Sequence, residues 1–105
     1  EYDQIDKYCK EKKFIWIASP WDISSINFLK KYDLPAFKIP SALITDKEYL
    51  NELKQLDKPL FVSTGMAEIQ LVKKVVDFLG EEKIILLHTV SSYPARPESV
   101  NLKVI

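Results

Sequence analysis

With only two glycines, Gly65 and Gly80, the chain cannot spell a P-loop or the G-x-G-x-x-G turn that cradles a dinucleotide. Its single cysteine, Cys9, rules out an internal disulfide and argues against a small secreted scaffold. The charged start, with Glu1, Asp3, Asp6 and Lys7, lacks the layout of a signal peptide, so a cytoplasmic setting is expected. A lone histidine, His88, cannot build a metal site with a second histidine or with Cys9, and no metal ligand is expected within these residues. No apolar run approaches the roughly 20 residues of a membrane span, so no membrane partner is expected. Fifteen basic residues balance fifteen acidic ones, which excludes the broad basic face that nucleic acid requires. Any bound anion must therefore be held locally.

What is present is an ordinary globular composition, 47% hydrophobic and 29% charged over 105 residues, suited to one domain spanning 1–105. Four apolar runs organise it: Phe14 to Ala18, Ala36 to Ile39, Leu60 to Val62 and Ile84 to Leu87. Each stops at a small polar or ionisable residue, Ser19, Ser41, Ser63 and His88, at spacings of 22, 22 and 25 residues. That period admits leucine-rich repeats, but their leucine and asparagine pattern is missing. Helical periodicity fills the intervals instead. The unit therefore reads strand, polar strand end, helix, which predicts an α/β fold with a parallel sheet.

Local signals fill in the units. Tyr2, Ile5, Tyr8 and Cys9 predict an opening amphipathic helix ending near Lys10 to Lys13. Phe14 to Ala18, apolar throughout, predicts a strand covered on both faces, stopped by Pro20, with Trp21 as a packing residue. Asp22 is placed to cap a helix whose inward face is Ile23, Ile26 and Leu29, with Lys30 and Lys31 at its C-terminal end. Thr45 and Glu48 have capping-box spacing before a helix that buries Tyr49, Leu50, Leu53 and Leu56. Ile69, Val72, Val76 and Leu79 predict the inward face of the next helix, stopped by Gly80. Ser99 to Ile105 reads as the approach to a further helix.

The chemistry concentrates where the strands stop, because C-terminal strand ends of parallel sheets share one face and sites form there. In Phe37-Lys38-Ile39, alternation sends Phe37 and Ile39 into packing and Lys38 to the opposite face, where a desolvated ammonium needs an anionic partner. Ser19, Ser41 and Ser63, the turn Thr64-Gly65-Met66 and His88 surround it. Hydroxyls and backbone amides donate hydrogen bonds and lysine supplies point charge, a group suited to phosphate. Gly65 allows backbone to approach closely. The long loop Thr89 to Pro97 joins the same end.

The strings Phe37-Lys38-Ile39-Pro40-Ser41, Val62-Ser63-Thr64-Gly65-Met66, Leu86-Leu87-His88-Thr89 and Ser91-Ser92-Tyr93-Pro94 resemble the sialic acid synthases in order and spacing. Ser19-Pro20-Trp21-Asp22 resembles the same family's Ser/Thr-Pro-Phe-Asp turn. The resemblance implies a (β/α)8 barrel, of which this chain would be a partial TIM barrel of about strands three to six, incomplete at both ends. It implies a transferase that condenses phosphoenolpyruvate with N-acetylmannosamine or a related aldose and releases phosphate. Ser19, Lys38, Ser41 and Ser63 match positions that hold phosphoenolpyruvate, with Lys38 catalytic. Ser91 and Tyr93 match a loop touching phosphate and sugar, and Thr64 and His88 would line the site. The implied cofactor is a divalent metal, manganese or magnesium, with ligands outside these residues.

The chain departs from the family at Leu43, where an acidic residue is usual, and at Ser91, where asparagine is common. Another phosphoenolpyruvate-condensing sugar-acid synthase and a non-catalytic half-barrel module are the alternative readings. Four units leave two open sheet edges, so these residues alone are expected to be catalytically silent and to pair, as in a homodimer.

Overall fold

The computed structural model describes residues 1–104, and Ile105, the end of the expected helix approach, lies outside them. Three strands form one parallel sheet in the order β1 (Phe37–Ile39), β2 (Leu60–Ser63) and β3 (Ile84–Leu87). Helix α3 (Lys47–Lys54) connects the first pair of strands and α4 (Ile69–Leu79) the second, as the repeated unit predicts. The chain opens with α1 (Tyr2–Lys12), and α2 (Ile23–Leu29) precedes β1. Register sets Phe37 beside Leu60, Lys38 beside Phe61 and Ile39 beside Val62. It continues with Phe61 beside Ile85 and Ser63 beside Leu87.

Because side chains alternate along a strand, this register divides the sheet into two faces. Phe37, Ile39, Leu60 and Val62 share the helix-covered face, buried with Ile26 and Leu29 of α2, Tyr49, Leu50 and Leu53 of α3, and Val75 and Leu79 of α4. Complete burial of a side chain such as Leu53 is worth about 1.5–3 kcal/mol. Lys38, Phe61, Ser63, Ile85 and Leu87 occupy the other face.

Several local expectations are corrected. Phe14 to Ala18 is not a strand covered on both sides. Only Ala18 bridges to Phe37, and Phe14, Ile15 and Ile17 are 64%, 85% and 40% exposed. The run leaves α1 through a left-handed Lys13, with the Phe14 amide bonded to the Cys9 carbonyl, and reaches β1 only at its end. Trp16 instead joins an aromatic cluster with Tyr2 and Tyr32 and donates its indole N–H to Asp6. That cluster, with the Tyr32 hydroxyl donated to Asp3, holds an α1 that buries none of its own residues. Trp21 does not pack inward and is 63% exposed.

The cap of α3 is Asp46, not Thr45. A turn at Ser41–Leu43 takes up the preceding loop, the helix starts one residue later, and the Tyr49 amide donates to the Asp46 carboxylate. Glu48 then sits one position short of a capping box. In α4 the inward stripe is Val75 and Leu79 with Leu71, an i, i+4, i+8 row, and Ile69 at the other side is 58% exposed. Beyond β3 the chain makes short 3-10 turns at Pro97–Ser99 and Leu102–Val104.

Tyr49 fixes the loop that carries Ser19. It is 1% exposed and its hydroxyl donates to the Pro20 carbonyl at 2.8 Å, while burial pushes its phenol above the ordinary range. Tyr49→Phe is expected to cost about 1–2 kcal/mol by leaving that carbonyl unpaired, measured by denaturant unfolding of the complete polypeptide. A loss below about 0.5 kcal/mol would show that the loop is held by other contacts.

Asp22 caps α2 as expected, accepting from the Ser25 amide at 2.6 Å, and this bond, followed by the Ser25 and Ser24 hydroxyls, holds its carboxyl below 3.8. A folded-state value below the unfolded one means that the cap contributes fully above 3.8 and is lost as pH falls through the lower folded value. Asp22→Asn keeps the cap without the titration. The stability difference between the two forms should therefore change between about pH 5 and pH 2 and stay flat above, as read from unfolding curves at each pH.

Candidate anion site at the strand ends

Lys38 lies at the centre of β1 on the face away from the helices, half-buried, level with Phe61. Among the described residues its ammonium forms no salt bridge, and of the lysines that form none it alone is half-buried and not exposed. Its backbone is fixed from the side of Ser19: the Lys38 amide donates to the Ala18 carbonyl at 2.9 Å, and the Ser19 hydroxyl donates to the Lys38 carbonyl at 3.1 Å.

Ser63 ends β2 on the same face, two residues beyond the position beside Lys38. It is 3% exposed, and its Oγ has no hydrogen-bond partner among the described residues. A buried hydroxyl without a protein partner is costly, and in folded proteins such a group meets an ordered water, meets a bound ligand or takes part in chemistry.

Beyond β1, β2 and β3 three loops meet over Gly65. Its N–H donates to the Ser41 hydroxyl at 2.9 Å and to the Thr89 hydroxyl at 2.7 Å, and those two oxygens lie 3.3 Å apart. A Cβ at position 65 would stand 2.8 Å from the Ser91 Oγ, 2.9 Å from the Ser41 Oγ and 3.1 Å from the Thr89 Oγ1. The glycine is required by this crowding, in keeping with the close approach expected from the sequence, and not by a left-handed backbone.

The residues singled out in the sequence do not all converge. Ser41 and Ser91 meet at Gly65 beyond the strand ends, Ser63 ends β2, and Ser19 bonds the carbonyl of Lys38, which itself lies mid-strand on the face of Ser63. Thr64 is spent on structure, donating its hydroxyl to the Leu87 carbonyl at 3.0 Å. His88 follows β3 at the same end and lines a cavity that Thr64, Thr89 and Ser91 share with the apolar Ile69, Leu86 and Val104. Its Nε2 accepts the Asn101 amide at 3.3 Å. Tyr93, in the loop after β3, is fully exposed. Leu43 packs against the hydrophobic core. Thr89 has no site role in the sequence reading, although it ends the string Leu86-Leu87-His88-Thr89 and opens the loop at the strand ends.

Among the described residues no three His, Cys, Asp or Glu side chains gather to hold a metal ion, and no helix is long and apolar enough to cross a membrane. The chemistry available here is hydrogen-bond donation from hydroxyls and an amide beside one ammonium, which suits an oxyanion.

A parallel α/β sheet with helices on one face and such donors at its strand ends has the form of a fragment of a TIM barrel, with a candidate anion site where barrel sites form. The chain matches the NeuB family over residues 1–105 and belongs to it. It is 35% identical over 108 residues to the N-acetylneuraminate-9-phosphate synthase of Drosophila melanogaster, covering 100% of this chain and 29% of that protein. With the N,N'-diacetyllegionaminic acid synthase of Campylobacter jejuni it shares 33% identity over 107 residues, covering 97% of this chain and 32% of the relative. It superposes on the crystal structure of N-acetylneuraminic acid synthetase from Leptospira borgpetersenii, solved in complex with citrate, with a TM-score of 0.91 at 27% identity, covering 99% of this chain and 37% of that one. The chain thus spans about a third of the length of these proteins.

The orphaned Ser63 hydroxyl gives a test of site against scaffold. Ser63→Ala should leave stability unchanged or raise it by up to about 1 kcal/mol, since it removes a buried polar atom that bonds to no protein group. Thermal unfolding of the complete polypeptide without added anion reads this directly, and a loss above about 1 kcal/mol would assign the hydroxyl a structural bond.

Proposed function

We propose that this chain carries the phosphoenolpyruvate-binding strand ends of a nonulosonic acid synthase. The observation that supports this most directly is the pairing of an ammonium without a carboxylate partner, Lys38, with the buried, unbonded hydroxyl of Ser63 on one sheet face. Membership of the NeuB family and the named synthase relatives support the same class of sugar-acid synthase.

In the reaction proposed, the methylene carbon of phosphoenolpyruvate attacks the aldehyde carbon of N-acetylmannosamine or a related aldose. A carbon–carbon bond forms, and the aldehyde oxygen gains a proton. Water adds to the cationic carbon that results and loses one proton; the hydroxyl so formed then collapses to a ketone, the carbon–oxygen bond to phosphate breaks with its electron pair, and the hydroxyl proton passes to the phosphate released. Lys38 would hold negative charge on phosphoenolpyruvate throughout, the Ser41, Ser63 and Ser91 hydroxyls would fix its oxygens in place, and Ser19 would act through the Lys38 carbonyl to which its hydroxyl donates. Tyr93 would meet the sugar from its exposed loop. The described residues supply no donor set for the manganese or magnesium that the resemblance implies, so its ligands would have to come from outside this chain. The lone cysteine fits a cytoplasmic setting.

Lys38→Ala in the complete polypeptide is expected to weaken phosphoenolpyruvate binding by about 30- to 3,000-fold, the equivalent of about 2–5 kcal/mol for one lost partner of a desolvated pair. Lys38→Arg should be impaired too, because a planar fork does not replace a compact point charge. Calorimetric titration with phosphoenolpyruvate measures both, and an unchanged affinity in Lys38→Ala would sink the assignment.

A further inference from the structure

We infer that Thr89 is a positioning residue that aims the Ser41 hydroxyl at an anionic oxygen of the substrate, a proposal that rests on the phosphoenolpyruvate reading of the site. The protons of the cluster can be counted. The Gly65 N–H, a single donor, is shared between the Ser41 and Thr89 oxygens at 2.9 and 2.7 Å, so both hydroxyls act as acceptors toward the backbone. Those oxygens are 3.3 Å apart, and among the described residues neither has another hydrogen-bond partner. Two hydroxyl protons remain, but within the pair only one can be used, from one oxygen to the other. At least one is left to donate outward, and with the Thr89 hydroxyl donating to the Ser41 oxygen, the arrangement the proposal requires, it is the Ser41 proton. The amide on the acceptor side polarises that donor, since hydrogen bonds in a chain strengthen one another.

The cluster also ties together the loops that follow β1, β2 and β3, so that Ser41 is held from across the sheet and not only by its own turn. Gly65 is the hinge of the arrangement. Any side chain there would meet the Ser41, Thr89 and Ser91 hydroxyls within 3.1 Å and turn them aside. Thr89→Val keeps the shape of the side chain while removing its hydroxyl, which frees the Ser41 Oγ to rotate and leaves the Gly65 N–H to it alone. Thr89→Ser keeps the hydroxyl.

The test titrates phosphoenolpyruvate into the complete polypeptide and its Thr89→Val, Thr89→Ser, Gly65→Ala and Lys38→Ala variants, with the unfolding midpoint of each recorded. The expected result is about tenfold weaker binding in Thr89→Val and in Gly65→Ala, near-native binding in Thr89→Ser, and an unfolding midpoint for Thr89→Val close to that of the parent. Native affinity in Thr89→Val beside weakened affinity in Lys38→Ala would overturn the role of Thr89 and leave the substrate assignment intact. Failure of Thr89→Ser to restore binding would also overturn it, because a hydroxyl of the same reach would then not suffice. Native affinity in both Lys38→Ala and Thr89→Val would remove the substrate assignment, and the inference with it.

Discussion

The register that sets Lys38 beside Phe61 governs everything at the strand ends. Parallel pairing fixes which residues share a face, and a slip of one position would send Lys38 into the packing of α3 and α4 while turning Ile39 outward. Burying an unpaired ammonium there is far more costly than exposing an isoleucine, so the hydrophobic pattern and the charge enforce one register together. The same parity brings Ser63 to the face of Lys38. The site is thus a consequence of how the core is packed, and any change that weakened the Phe37, Ile39, Leu60 and Val62 layer would blur it.

What the sequence disclosed follows the strength of the physical signal. The strands Phe37–Ile39, Leu60–Ser63 and Ile84–Leu87 were legible as short apolar runs ended by polar residues, and their parallel order followed from the helices between them. Phe14 to Ala18 carries the same composition but no ladder beyond Ala18, because pairing is decided by a neighbour and not by the run itself. Asp46 displaced Thr45 as cap because both are capping residues and the turn at Ser41–Leu43 chose between them. In α4, apolar residues at 69, 71, 72, 75, 76 and 79 allow more than one inward stripe, and contact with the sheet selected Leu71, Val75 and Leu79. At the site, Lys38 and Ser63 were legible by alternation. Thr89 was not, since its place beside Ser41 depends on a loop path that no periodicity encodes, and the different directions of Thr64 and His88 depend on the same loops.

Two features of the strand ends run against the requirements of the core. Ser63 buries a hydroxyl that bonds to no group among the described residues, and Gly65 holds three hydroxyls closer than any side chain would permit. A sequence selected for stability alone would place alanine at 63 and relax the crowding at 65. Elsewhere the chain satisfies its polar groups: Asp22 and Asp46 cap helices, and Tyr49 reaches the Pro20 carbonyl. Exceptions confined to one end of the sheet are what the proposed binding role would require, with packing given up there.

The face that carries Lys38 is also the face the described residues leave uncovered. Ile17 and Ile85 are 40% and 44% exposed, and Lys38, Phe61 and Leu87 only half-buried. In a closed barrel this face is the interior, filled by layers of side chains. Closing it would do two things at once. It would remove apolar surface from water, which stabilises the fold, and it would lower the dielectric around Lys38, which strengthens its attraction for an anion several-fold over its value in water. In the proposed reading folding and binding would therefore be coupled through a single surface. The lysine is tolerable in the open sheet because water still reaches it, and in the proposed reading it would become an effective anion ligand once the rest of the barrel takes that water away.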